Sequence, residues 1–404
     1  MLHPTGNLPD RKTEPAVRML ALVALSQFLG MTLWFSATAA APRIAADLGL
    51  GSIQVAWLTI AVQGGFVGGT LVSAILNLAD VFNARRLFAF GCAVGAVANA
   101  SVIWTTDPFV IFALRFVTGV ALACVYPPGM KIAAGWFKER RGTALGVLVG
   151  ALSLGSAFPH LLSFTASAVS WHSLMLTSSA LALVGGAIVW LAVDDGPHVT
   201  ASAPFDPHAI GAVVRNRGAR LATFGYLGHM WELYAMWAWI SAFATASLLD
   251  AGVPPQRTGS LIAFVAIASG ALGCVAAGVW ADRWGKARIA GGALAVSSAC
   301  SALAGFLFGA PVWALLLLSI IWGFSVVADS AQFSALVTEH SPRTHVGTAL
   351  TLQTSAGFLL TMVSMQLLPL AAARYGWQWV FLLLVPGPVL GAWAMQRLRL
   401  TSPA

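Results

Sequence analysis

Charged residues are scarce in this chain of 404 residues: they make up 9% of the sequence, whereas hydrophobic residues make up 58%. Soluble domains carry about 25% charged residues, so the composition excludes an ordinary soluble protein and predicts one that lies in a lipid bilayer. Cysteine is also rare. The cysteines all fall in apolar runs without paired spacing, at Cys92, Cys124, Cys274 and Cys300. This placement favours packing residues over disulfides or metal ligands.

The sequence motifs of enzymes and nucleotide-driven pumps are missing as well. We find no HExxH, GxSxG or P-loop pattern, and the eight histidines are scattered. A membrane enzyme or a sensor is thereby disfavoured, a self-contained ATP-driven pump is excluded, and no cofactor is expected. A cleavable signal peptide is not expected either, because the first apolar run, 16–41, is longer than a signal core and many similar runs follow it.

Long apolar runs dominate what is present. A helix needs about 20 apolar residues to cross the hydrocarbon core, and continuous runs argue against the alternating segments of a membrane barrel. The longest break between the runs, 194–219, is rich in Pro, Asp, His and Arg. We predict an all-α membrane protein with twelve spans, six on each side of that break: 17–41, 53–76, 87–104, 109–135, 143–166, 173–193, 220–248, 258–280, 289–309, 311–336, 346–370 and 379–396.

The distribution of Lys and Arg predicts the orientation. With the N-terminus in the cytoplasm, eighteen of the 22 basic residues fall in or near cytoplasmic loops and three fall outside, which satisfies the positive-inside rule. We therefore expect a multi-pass protein of the cell membrane with both termini cytoplasmic. The same distribution explains the net charge of +8, so no nucleic acid or other acidic partner is expected. We also expect a monomer.

The two sets of six spans are related in sequence. Gly142-Thr143-Ala144-Leu145 recurs as Gly347-Thr348-Ala349-Leu350, and Trp171 recurs as Trp377. Asp80 and Asp282 occupy equivalent loops. Such repeats form two lobes with a site between them near the middle of the bilayer. We predict a first lobe over 1–193, a linker over 194–219 and a second lobe over 220–404.

The loops between spans two and three of each half carry the motif G-x-x-x-D-R-x-G-R-K/R. In the second half it reads Gly278, Asp282, Arg283, Gly285, Lys286 and Arg288; in the first half Asp80, Arg85 and Arg86 remain. With the twelve spans and the repeat, the whole chain resembles the major facilitator superfamily. The resemblance implies a two-lobed fold with pseudo-two-fold symmetry and a gate role for these charged residues. Asp80 and Asp282 would contact helix starts of the opposite lobe, where the helix dipole favours negative charge; anchoring of the loops at the interface is the alternative.

Ionisable residues inside spans are costly and mark functional sites. Glu232 lies near the middle of span seven with His229 almost one turn before it, and Trp239 lies on the same helical stripe. The pair could carry or relay a proton; a structural hydrogen bond at a bend near Gly225 and Gly228 is the alternative. Arg115, in span four, occupies the place of a recurrent arginine of the resembled family, tied to coupling or anion binding, unless it reaches the outer interface.

Three further polar or aromatic residues are candidates for the site. Asp329 lies in the inner part of span ten and could pair with a cavity cation or with Lys131. Gln27 and Trp34 share a face of span one. For Gln27 a hydrogen bond between helices is the simpler interpretation.

The expected function is secondary active transport of a small organic solute by alternating access, with protons as the coupling ion. An uncoupled uniporter or a drug-type exporter is the alternative. The fifth span lacks the Gly-Pro pair of family antiporters, since Gly155-Ser156 stands there, which weakens the drug-exporter interpretation.

Overall fold

The structure is a computed structural model that describes residues 13–137, 141–165, 170–198, 206–342 and 345–401. The described residues contain helices and no strand. In chain order the α-helices are α1 Thr13–Met31, α2 Ser36–Leu48, α3 Ser52–Ile75, α4 Leu78–Val81, α5 Ala84–Ser101, α6 Pro108–Ala123, α7 Tyr126–Trp136, α8 Arg141–Thr165, α9 Trp171–Ala192, α10 Ile210–Arg215, α11 Arg217–Asp250, α12 Pro255–Trp284, α13 Lys286–Leu303, α14 Val312–Ala328, α15 Ser330–His340, α16 Val346–Tyr375 and α17 Pro386–Thr401. Short 3-10 helices lie at Val102–Trp104, Pro207–Ala209, Ala304–Leu307 and Val380–Leu384.

Eleven helical segments in the described ranges are long and apolar enough to cross a membrane. They correspond to every predicted span except the seventh. That span is α11, the longest helix at 34 residues, which is less apolar because Trp, Tyr, His and Glu side chains occupy its middle. The predicted count of twelve therefore depends on α11 crossing as well.

Three predicted spans are each broken into two helices. Span one breaks between α1 and α2 at residues 32–35, span four between α6 and α7, and span ten between α14 and α15 at Asp329. Span one also runs further than expected, to Leu48 rather than residue 41. By contrast, α11 is continuous through Gly225 and Gly228. There glycine allows close packing: a Cβ at Gly228 would lie 2.4 Å from the carbonyl oxygen of Gly387.

Helices of the first half of the chain pack mainly with one another, as α3 does with α6 and α5 with α9. In the second half, α12 packs with α14 and α11 with α17. Two extensive contacts join the halves, α8 with α12 and α3 with α16.

The ends of the helices form two groups, which we name the basic end and the far end. The basic end holds the turns near Asn83 and Gly285, with Trp136 donating to the Asp194 carbonyl. The far end holds the turns near Gly49 and Gly252, with Trp171 donating to Asp47.

Side chains join the two halves at the far end. Ser260 donates to Ser163 over 3.4 Å, and Arg257 donates to the carbonyl oxygen of Phe164 over 3.3 Å. Between described residues at the basic end, the ion pairs do not join the halves, as in the pair of Lys286 with Glu339. The far end therefore has side-chain hydrogen bonds between the halves in addition to the helix packing.

Candidate functional site

Arg115 lies in α6 and is fully buried, with 0% of its surface exposed, so it does not reach the outer interface. Its guanidinium donates to the carbonyl oxygens of Leu58, Leu33 and Trp34 at 3.0, 3.2 and 2.7 Å. It also donates to Asn99 at 2.7 Å, and to the Ser36 hydroxyl at 3.3 Å. Because residues 32–35 interrupt span one, the carbonyls of Leu33 and Trp34 receive no regular helical hydrogen bond from the described backbone; Arg115 donates to both at that break.

Glu232 lies on α11 and is also 0% exposed. Its carboxylate accepts hydrogen bonds from Ser297 and Ser301 of α13 and from Trp322 Nε1 of α14, at 2.5 to 2.8 Å. Ser297 and Ser301 are one turn apart and so lie on the same face of their helix. Neither Arg115 nor His229 contacts the carboxylate: both are held in other networks.

His229 and Asp329 form a second buried network, each about 1% exposed. His229 Nδ1 lies 2.7 Å from Asp329 Oδ1, and its Nε2 lies 2.9 Å from the hydroxyl of Ser330. Asp329 is the residue at which span ten breaks. The alternative partner, Lys131, instead pairs with Asp80 in the first half.

A group of six buried aromatic rings lies where the two halves meet; we call it the aromatic box. Its rings form a continuous set of contacts with centroids 4.7 to 6.3 Å apart. Three come from each half: Trp34, Phe35 and Phe66 from the first, and Tyr234, Trp237 and Phe358 from the second. The predicted site residue Trp34 is a member. The predicted residue Trp239 is not: its Nε1 donates to the Met365 carbonyl at 2.9 Å.

Gln27 lies in α1, in the first span of the first half, as Glu232 lies in the first span of the second half. It is 0% exposed, and neither its amide nitrogen nor its oxygen has a hydrogen-bond partner among the described residues. Gln353 and His160 are in the same condition, with both polar side-chain atoms unpartnered. Buried polar groups are rarely unpartnered, so these side chains are candidates to contact water or a solute.

Two predicted gate residues of the first half form ion pairs with described residues of the first six spans and of the linker. Arg85 Nη2 lies 2.8 Å from Asp195 Oδ2, Asp80 pairs with Lys131, and Arg86 is exposed. Partial burial alone would raise the pKa of Asp195, but hydrogen bonds from Arg85 and Asn83 and the nearby arginine charges outweigh burial, so the pKa lies below its usual value.

The gate residues of the second half are mostly at the surface. Lys286 Nζ lies 2.6 Å from Glu339 Oε1, while Asp282, Arg283 and Arg288 are exposed. A Cβ added at Gly278 or at Gly142, the expected contact of Asp282, would meet no described residue within 4 Å. Between described residues, no hydrogen bond joins Asp282 to the start of α8, so the gate contact stays a prediction.

Several partners of the predicted residues were not foreseen. Asn99 joins α5 to the Arg115 network and donates to Ser179 of α9 at 3.0 Å. Ser297 and Ser301 complete the Glu232 network. A lone Asn inside an apolar run and a Ser-x-x-x-Ser pair are visible in the sequence, and both are typical of contacts between membrane helices. Among the described residues no cluster of His, Cys, Asp or Glu could hold a metal ion.

Comparison with known proteins agrees with this architecture. The family model described as Major Facilitator Superfamily matches residues 23–255 and 233–404. A protein of Streptomyces coelicolor described as "Probable actinorhodin transporter" is 28% identical over 52% of this chain, and the match covers 36% of its own length. The puromycin resistance protein pur8 of Streptomyces alboniger is 30% identical over 36% of this chain and 29% of its own. The chain thus spans about a third of the length of these two curated relatives.

Two further comparisons extend over different shares of the chain. The 3-(3-hydroxy-phenyl)propionate transporter of Escherichia coli is 28% identical over 40% of each chain. The crystal structure of the nucleoside transporter NupG covers 95% of this chain and all of its own, with a TM-score of 0.70 at 16% identity, which shows a shared fold. The chain belongs to the Major Facilitator Superfamily and is a multi-pass membrane protein.

Proposed function

We propose that this protein is a proton-coupled secondary transporter that moves a small organic solute by alternating access between residues 1–193 and 220–404. The observation that carries the proposal is the pair of buried acids, Glu232 and Asp329, in the second half. Both are 0% exposed, and among the described residues neither forms an ion pair with lysine or arginine. A carboxyl group in the membrane interior is costly, and such groups usually mark functional sites.

The His229–Asp329 pair links proton binding to the arrangement of the helices that it joins. Both side chains can gain or lose a proton, and their contact joins α11 to the break between α14 and α15. A change in the charge of either partner changes the strength of that contact. Because the break is where span ten can bend, the proton state biases the relative arrangement of these helices.

Glu232 has a different place in the mechanism. Its three donors come from α13 and α14, so its carboxylate connects three helices of the second half. Protonation would turn one carboxylate oxygen from acceptor into donor and so weaken one of those three hydrogen bonds. Proton binding at Glu232 and at the His229–Asp329 pair would therefore act on the same helices, α11 and α14.

The contacts between halves support a resting state closed at the far end. Ser163 and Ser260 meet there, whereas a Cβ at Gly142 or Gly278, at the basic end, would meet no described residue within 4 Å. We further infer that the basic end faces the cytoplasm of a cell membrane, because basic loops are retained on that side. Alternating access then requires separation of Ser163 from Ser260 and closure near Gly142.

The test uses purified protein in liposomes with radiolabelled puromycin and 3-(3-hydroxyphenyl)propionate as probes, chosen from the solutes named for the relatives. An imposed pH difference should drive accumulation above equilibrium in the wild type. In Glu232→Gln, accumulation should fail while counterflow exchange survives, because exchange needs no net proton movement. Asp107→Asn is the matched control, since Asp107 is an exposed helix cap and asparagine caps equally well.

Two outcomes would contradict the proposal. Accumulation by Glu232→Gln equal to that of the wild type would remove Glu232 from proton coupling. Wild-type uptake that only ever equilibrates, whatever the pH difference, would indicate an uncoupled uniporter.

A further inference from the structure

The aromatic box joins the two halves of the chain and is sealed from solvent. Its most exposed ring, Phe358, has 5% of its surface accessible, and Tyr234 has 4%. Rings of opposite halves stack on one another: Trp34 lies 5.6 Å from Tyr234 with planes 26° apart, and Phe35 lies 6.3 Å from Tyr234 with planes 10° apart. Relative movement of the halves therefore changes the spacing between stacked rings.

Two indole N–H groups of the box have no acceptor. Trp34 Nε1 and Trp237 Nε1 are buried and unpartnered among the described residues. Buried tryptophans usually find a partner, and others in this molecule do. Trp171 donates to Asp47, Trp239 to the Met365 carbonyl and Trp322 to Glu232.

An unpartnered buried donor costs about 1–3 kcal/mol, so two of them at one place need an explanation. Packing alone would be served as well by phenylalanine, which has no N–H to satisfy. An acceptor that arrives with a solute would satisfy both groups. Gln63, one turn before Phe66 on α3, adds an unpartnered buried oxygen, Oε1.

A flat solute would have to enter between rings that now contact one another. Carbon atoms pack at about 3.5–4.0 Å, so a planar ring held between two others requires their planes to be ~7–8 Å apart. The rings of Phe35 and Tyr234 lie within 10° of parallel with centroids 6.3 Å apart, so the perpendicular distance between their planes is below that width. Separation of the halves would widen this gap.

Charge also restricts the solute. The charged side chains buried nearby are engaged elsewhere, Arg115 with carbonyls and Asn99, and Glu232 with hydroxyls and Trp322. We propose that the aromatic box is the substrate site and that it binds a planar aromatic solute whose hydrogen-bond acceptors take the N–H groups of Trp34 and Trp237. The proposal rests on the transport function proposed above and names the class of its substrate.

Coumarin is the test probe, since it is flat, uncharged, water-soluble and carries acceptors without donors. Its binding to purified protein is measured by scintillation proximity with tritiated coumarin, with unlabelled octahydrocoumarin as a competitor of the same outline that cannot stack. We expect octahydrocoumarin to compete at least about tenfold less well. Trp34→Phe keeps the ring and loses the N–H, and it should weaken binding about five- to tenfold, as expected for one hydrogen bond.

Two further variants test whether an effect on coumarin binding is specific to the aromatic box. Phe358→Leu removes a stacking ring from the other half and should also weaken coumarin binding. Trp393→Phe, at a tryptophan 51% exposed on the outer surface, should bind coumarin as the wild type does. Thermal unfolding of each variant shows whether it is folded, so a loss of binding counts only in a folded protein.

The inference is overturned if folded Trp34→Phe and Trp237→Phe both bind coumarin with wild-type affinity, or if octahydrocoumarin competes as well as coumarin. It is also overturned if wild type binds no coumarin while it accumulates other solutes in a pH gradient; that result leaves the transport proposal intact. Conversely, N–H-dependent coumarin binding without pH-driven accumulation of any probe supports the site and contradicts proton coupling.

Discussion

Arg115→Lys tests whether the arginine is needed for its hydrogen bonds or only for its charge. The guanidinium reaches five acceptors in a site that is 0% exposed. A lysine ammonium has three donors, so at least two of these five hydrogen bonds are lost, although the Ser36 hydroxyl still donates to the Leu33 carbonyl or to Asn99. The variant keeps the positive charge, which separates hydrogen bonding from electrostatics.

The magnitude of the Arg115→Lys effect follows from the number of lost hydrogen bonds. A typical hydrogen bond contributes a net stabilisation of about 0.5–1.5 kcal/mol, which predicts ~1–3 kcal/mol for the loss of two. Hydrogen bonds between membrane helices average about 0.6 kcal/mol, which sets a lower limit of roughly 1 kcal/mol. The expected loss of unfolding free energy is therefore larger than that of an ordinary surface substitution.

The assay is reversible unfolding in mixed micelles, with Arg257→Lys as the matched control. Arg257 makes two long contacts, 3.3 and 3.5 Å, in an exposed setting, and its replacement should change the free energy of unfolding by less than about 0.5 kcal/mol. If Arg115→Lys unfolds with the same free energy as Arg257→Lys, the carbonyls at the break in span one do not need the guanidinium. That result would refute the reasoning.

Three further substitutions test other parts of the structure. Ser301→Ala removes a donor to Glu232 and should cost about 1–3 kcal/mol of unfolding free energy, whereas Ser298→Ala, whose contact is 3.5 Å long, should cost less; equal losses would argue against the Glu232 network. Cysteines at Ser163 and Ser260, whose hydroxyls are 3.4 Å apart, should form a disulfide that stops uptake until it is reduced, in a background without the native cysteines; uptake that continues in the oxidised protein would argue against opening at the far end. Because the pKa of Asp195 is lower in the folded protein, the contact of Asp195 with Arg85 stabilises the fold above the unfolded pKa of about 3.9 and loses that effect as the pH falls through the lowered value. Asp195→Asn should therefore reduce the free energy of unfolding by about 0.2–1 kcal/mol at pH 7 and by nothing near pH 2. A loss that does not depend on pH would contradict this.

The fold was largely predictable because a bilayer forces every backbone group to be paired within its own segment. Apolar length alone therefore located eleven spans. The breaks in the helices were not predictable in the same way. Residues 32–35 contain neither Gly nor Pro; the Leu33 and Trp34 carbonyls there accept hydrogen bonds from Arg115, which lies on another helix.

Individual residues of the candidate site were predictable from the sequence, but the contacts between them were not. A buried ionisable side chain stands out in an apolar run, which is why His229, Glu232 and Asp329 were found. Their partners depend on how helices rotate against one another, and no span contains that information by itself. Thus Asp329 was expected to pair with a cavity cation or Lys131, whereas it contacts His229. The aromatic box was missed for the same reason, since Phe66 and Phe358 look like ordinary apolar residues.

The central claim is that protons on the buried acids bias which end of the transporter is open. Spin labels at Thr143 and Val279, exposed residues near the basic end of α8 and α12, report the distance between the halves without any knowledge of the solute. We predict two distance populations whose ratio changes between pH 5.5 and 8.5 in the wild type, and a ratio independent of pH when Glu232→Gln and Asp329→Asn are combined. A wild-type distance distribution that does not respond to pH, or an unchanged response in the double variant, would contradict the account.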